Sequence, residues 1–98
     1  MAVKFKPFDS ADHLKSDEDI VAYLDAVLGE GDPALIAYAI GVVARARGMT
    51  NISRETNLGR ESLYKALSLE GNPEFATVMK VLHSLGIRLR VEALAADA

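Results

Sequence analysis

Met49-Thr50-Asn51-Ile52-Ser53-Arg54-Glu55-Thr56-Asn57-Leu58-Gly59-Arg60-Glu61-Ser62-Leu63-Tyr64-Lys65-Ala66-Leu67-Ser68 is the stretch on which the reading of this chain turns. Its spacing fits two short helices crossing over a tight turn. Such a unit needs a small residue where the second helix passes close above the first, and Ser53 supplies it. Four residues later the turn needs a residue that tolerates a left-handed backbone. Asn57 stands there, and after glycine asparagine accepts positive φ best. Leu58 follows as an apolar plug. Met49 and Ile52 give the first helix its inner face, and Leu63, Ala66 and Leu67 give the second helix its own. Gly59 stands at the second helix's N-cap, where serine would cap better.

Once the inner positions are assigned, Arg60, Glu61, Ser62, Tyr64, Lys65 and Ser68 are left to point outward. That set suits a recognition helix in a DNA major groove. Arg60 has the fork for a bidentate guanine contact, and Glu61 accepts from a cytosine amino group. Ser62, Tyr64 and Lys65 suit phosphates. Thr50 and Asn51 open the first helix and are placed to anchor backbone phosphates through its amides. A plain helical hairpin with a solvated outer face has the same spacing, so an interaction module that does not touch DNA stays open at this point.

On either side of this stretch the pattern is helical. Ser16 or Asp17 caps a helix whose first turn carries Asp17, Glu18 and Asp19, well placed against the helix dipole. Ile20, Tyr23, Leu24, Val27 and Leu28 share its inner face, and Gly29 or Gly31 ends it. Asp32-Pro33 opens a helix over roughly 33–47 that is apolar nearly all round, as only a central position in a small bundle permits. Asn72-Pro73 repeats the cap-plus-proline signal for a last helix with Phe75, Val78, Met79, Leu82 and Leu85 in a stripe, closed by Gly86. Ile87-Arg88-Leu89-Arg90-Val91-Glu92 alternates strictly and predicts a half-buried strand. A lone strand leaves its hydrogen bonds unmade. Its partner is sought in residues 3–6, where Val3-Lys4-Phe5-Lys6 also alternates, in a second copy, or in another protein.

The 98 residues suit one domain: an N-terminal arm over 1–16, a helical bundle over 17–86, the strand over 87–92 and a tail over 93–98. Half the residues are apolar, which argues against a disordered chain. There is no cysteine, so disulfides and thiolate chemistry are excluded. No phosphate-binding loop, nucleophile elbow or zinc-ligand spacing occurs, and His13 and His83 stand far apart without clustered partners. An enzyme, a cofactor and a metal site are therefore not expected. The charged start from Met1 to Phe8 does not read as a secretory signal, and the apolar run from Ala34 to Ala46 falls short of a membrane span. A cytoplasmic location follows as the expectation.

The net charge of −3 hides an asymmetry. Residues 1–32 hold eight acids against three bases, whereas Val43 to Arg90 hold eight bases against four acids. A locally basic second half permits a nucleic-acid partner.

Several blocks together resemble a known family. GDPALIAYAIGVVARARGMT, then ISRETNLGRESLYKALS, then EGNPEFATVMKVLHSLGIRLRV, with FDSADHLKSDEDIVAYLDAVL upstream, is similar to the prophage-type addiction-module antidote proteins over roughly residues 5–92. The resemblance implies a mainly α, five-helix, lambda-repressor-like bundle. It also implies an antitoxin that neutralises a RelE-like toxin and represses its own operon as a homodimer on a palindromic operator. Carried over, the recognition helix runs from Arg60 to Leu67. Asn51, Ser53, Asn57 and Gly59 depart from the residues usual at those places. A stand-alone phage-type repressor without a toxin is the alternative. Since toxins of this kind tend to be basic, the acidic segment, with Asp17, Glu18 and Asp19, is the expected toxin-facing side; helix capping and solvation explain the same acids equally well.

Overall fold

The computed structural model describes residues 14–95. Five helices follow one another: α1 (Asp17–Glu30), α2 (Pro33–Arg47), α3 (Met49–Thr56), α4 (Arg60–Ala66) and α5 (Phe75–Ser84). The strand expected at 87–92, with residues 3–6 as one of its candidate partners, is not part of this picture. Residues 3–6 lie outside the described residues. From Ile87 to Ala95 the chain forms no ladder, and no strand occurs among the described residues. A strand exists only through its partner's hydrogen bonds, and the described part of this chain offers no partner.

The first two helices begin as their sequences dictate. The Ser16 hydroxyl accepts from the Asp19 amide at 3.1 Å, and α1 ends on Gly31 at φ 74°. Asp32 Oδ1 accepts from the Ala34 amide at 3.0 Å, with Pro33 in the first helical position. Asn72-Pro73 does not act in this way. The last helix starts only at Phe75, with Glu74 at its N-cap and no side-chain bond there. Gly71 explains the delay: a Cβ on it would stand 2.2 Å from the Ala66 carbonyl oxygen, so the chain passes hard against the end of α4 before it can turn into a helix.

Helix α2 is the hub. It touches each of the other four helices, and Ala37, Ala39, Ile40, Val42, Val43 and Ala44 are all buried. An all-round apolar surface finds no other place in a bundle of this size. Around it Ile20, Leu24 and Val27 of α1, Met49 and Ile52 of α3, Leu63 and Leu67, and Val81, Leu82 and Leu85 close one continuous core. Gly41 makes the tightest junction. A Cβ there would lie 2.3 Å from the Leu67 carbonyl oxygen, so α2 and the end of α4 meet backbone to backbone.

Candidate functional site

Two glycines and one asparagine set the geometry of α3 and α4. Gly48, at φ 106°, separates α2 from α3 and is the N-cap of α3. Asn57 ends α3 in the left-handed region at φ 59°, the single non-glycine residue with positive φ among those described. Its amide donates to the Ser53 carbonyl. The chain then turns through half-buried Leu58 and extended Gly59 into α4. Ser53 does more than make room, because its hydroxyl donates to the Leu58 carbonyl at 2.5 Å and ties the turn to the helix before it. Thr56, buried and unmarked by any motif, donates to the Ile52 carbonyl at 2.7 Å. A threonine bonding back along its own helix satisfies its hydroxyl inside the core.

The inner faces lie where the spacing puts them. Met49, Ile52, Leu63 and Leu67 are buried, and Leu63 and Leu67 are among the largest fully enclosed side chains. Arg60, Glu61, Ser62, Tyr64 and Lys65 are exposed on α4, as are Thr50 and Asn51 on α3 and Gly59 between the two. Among the described residues, the side chains of Arg60, Glu61, Ser62, Tyr64 and Lys65 have no hydrogen-bond or ion-pair partner. Ser68 departs from the expected outward set. It is half-buried, and its hydroxyl donates to the Lys65 carbonyl at 2.8 Å, closing the end of α4.

Neither α3 nor α4 has a side-chain cap at its start, where a glycine stands in each case. The first amide to find an acceptor within α3 is that of Asn51, which donates to the Gly48 carbonyl at 3.1 Å. The amides of Met49 and Thr50 have no backbone acceptor among the described residues and stand at the positive end of the helix dipole. Arg54 belongs to the same exposed surface and escaped the sequence reading. It stands four residues after Thr50, one helical turn along the same face, and that spacing alone would have found it.

The acidic side is arranged differently. Asp17, Glu18 and Asp19 are exposed in the first turn of α1, and Asp17 forms an ion pair with Arg47 at the far end of α2. Arg45, on the same last turn, lies over the Tyr38 ring at 5.8 Å. These two arginines of the basic half thus have partners within the bundle, Arg45 on its own helix and Arg47 on α1. Among the described residues no group of three or more His, Asp or Glu is placed to hold a metal ion, and no helix is long and apolar enough to cross a membrane.

The architecture defines a class: a small helical bundle around one buried hub, which presents a short polar helix over a left-handed asparagine turn. Within that class the chain belongs to the family described as probable addiction module antidote protein, whose model matches residues 4–93. A protein of Haemophilus influenzae described only as uncharacterized is 49% identical over 92 residues, spanning 94% of this chain and 95% of that one. No solved structure matches. Membership in an antidote family supports an antitoxin role and implies a cognate toxin in general terms.

Proposed function

We propose that this protein is the antitoxin of a type II toxin–antitoxin module, neutralising a RelE-like toxin in the cytoplasm and repressing its own operon by binding a palindromic operator as a homodimer. It works by recognition alone, without catalysis. In this reading α3 and α4 are a lambda-repressor-like helix-turn-helix. Thr50, Asn51 and the start of α3 take phosphates. Arg60 and Glu61 read base edges, and Ser62, Tyr64 and Lys65 fix the register on the backbone, with Gly59 allowing close approach.

One observation carries the reading. In a chain of the antidote family, α4 follows the left-handed Asn57 turn with Arg60, Glu61, Ser62, Tyr64 and Lys65 exposed and without partners among the described residues. A helix that served only to cover the core would gain from pairing Glu61 with Lys65 one turn later, and that pair is not formed.

A gel-shift titration against the DNA upstream of the gene, at two salt concentrations, tests it. Saturable binding that weakens steeply with salt and competes poorly with random DNA is the expected result. Absence of binding at low salt would sink the DNA half of the proposal and leave a protein-interaction module. The toxin half is tested by co-purification with the product of an adjacent small basic reading frame. Asp17, Glu18 and Asp19 are proposed to face that toxin. Reversing all three to lysine is expected to weaken the complex, and an unchanged affinity would remove them from the contact.

A further inference from the structure

The end of the described chain is extended, with exposed apolar side chains and backbone groups that have no hydrogen-bond partner among the described residues. From Ile87 to Ala95 it runs without helix, turn or bend. Among the described residues, no backbone hydrogen bond reaches 88–95. Ile87 is half-buried against the core, but Leu89 is 39% exposed, Val91 98% and Leu94 90%. Residues 88–90 form one wall of a groove of about 840 Å³ whose floor is α1, α2 and the start of α5. Val21, Leu28 and Phe75 line that groove and are 53%, 42% and 70% exposed. None of the lining belongs to α3 or α4, so an occupant would leave the outer face of α4 free.

We propose that the occupant is a second copy of this chain, and that residues 88–94 of the two copies pair as an antiparallel two-stranded ribbon centred on Val91. The proposal deepens the dimeric reading above by assigning its interface and register. A two-fold axis through an antiparallel ribbon sets some residue opposite its own copy. Charge then selects which residue that is. Centring on Leu89 sets Arg88 against Arg90 at both ends. Centring on Arg90 or on Glu92 sets that charge against itself. Centring on Val91 sets Arg90 opposite the second copy's Glu92, twice, with Leu89 opposite Ala93 and Val91 against Val91. All charges that face each other in that register are opposite, and like charges directly opposite destabilise a ribbon.

The same register solves the groove. Residues 92–94 of each copy come to lie beside 88–90 of the other, along the groove wall. Leu89, Val91 and Ala93 share the face that Ile87 already turns to the core. A stable dimer buries about 800 Å² on each partner. That calls for more than one strand edge, and Val21, Leu28 and Phe75 offer the further apolar surface.

Sedimentation velocity of the full chain over a range of concentrations, without DNA, tests this. The wild type is expected to be a dimer. Arg90→Glu and Glu92→Arg each create two like-charge contacts and are expected to raise the dimer Kd about tenfold. An equimolar mixture of the two variants is expected to form heterodimers, and the double variant R90E/E92R is expected to regain the wild-type Kd. The centring on Arg90 predicts no such rescue, because Arg88 would then meet an arginine at 92. A monomeric wild type, a dimer indifferent to the single changes, or a double variant that fails to recover would overturn the proposal. Pairing of 87–92 with residues 3–6 of the same chain would remove the ribbon and produce one of the first two results. A monomer that still shifts its upstream DNA would defeat the ribbon alone, whereas a charge-sensitive dimer that ignores that DNA would defeat the regulatory reading alone.

Discussion

Helices α1 and α2 are closed at their starts by side-chain caps; α3 and α4 are not. At the start of α1 a serine hydroxyl closes the first turn, and at the start of α2 an aspartate does the same. The start of α1 is joined to the end of α2 by the Arg47–Asp17 ion pair, and Arg45 lies over Tyr38 of its own helix. Helices α3 and α4 are shorter, begin at glycines without a side-chain cap, and have a row of side chains with no partner among the described residues. Short helices are marginal by themselves, so α3 and α4 persist because Met49, Ile52, Leu63 and Leu67 are buried against α2 and α5. The contrast teaches where to look for function. One half is capped and built around the buried hub and serves as the platform, while α4 is held from beneath and keeps its outer side chains without partners among the described residues.

Substitutions can break or sharpen that division. The largest effect is expected from Leu67→Ala, which removes a fully enclosed side chain beneath α4. Urea unfolding should show a loss of about 2–5 kcal/mol. Gly41→Ala places a methyl group against the Leu67 carbonyl and should cost about 1–3 kcal/mol through overpacking, read as a lower midpoint at unchanged slope. A neutral result there would mean that the junction of α2 with the end of α4 is looser than its geometry.

Arg60→Ala belongs to the free surface. Its stability should stay within about 0.5 kcal/mol of wild type, while binding to upstream DNA should weaken by about 1–3 kcal/mol with relaxed preference at one base position. A stability loss without a binding loss would erase the division between the halves. Asp32→Ala is the mirror case, expected to cost about 1 kcal/mol of stability by uncapping α2, with DNA affinity of the folded protein unchanged. The smallest effect is expected from Asp17→Ala. Its side chain is 86% exposed, so losing the pair with Arg47 should cost well under 1 kcal/mol in a thermal melt and less still at high salt.

Much of this division was legible in the residues. Asp32-Pro33 marked the start of α2 to the residue, and Asn57 marked the left-handed turn, because the chemistry involved is local: a cap reaches two or three residues, and a positive φ concerns one. The spacing of Ile52, Leu63 and Leu67 likewise gave the inner faces, since helical periodicity is itself a local property. Local signals misled where the end of α4 intervened. Asn72-Pro73 has the same chemistry as Asp32-Pro33, yet Gly71 packed against the end of α4 holds that segment out of helix until Phe75. Ser68 looked outward by spacing and is instead bonded to a carbonyl that only the end of the helix leaves open.

The sequence by itself thus determined the five helices, the asparagine turn and the inner faces of α3 and α4, because each depends on residues a few positions apart. By contrast, Leu28, Phe75 and Met79, expected inward, are exposed. Tertiary structure decided the rest. It made Gly41 a point of backbone contact with Leu67 and joined Asp17 to Arg47, across separations that no spacing rule spans. It also left 88–95 without a ladder, although the alternation there is as regular as any in the chain. The physical reason is the same throughout: a helix closes its hydrogen bonds within its own segment, whereas a close contact or a strand is made only by what lies on its other side.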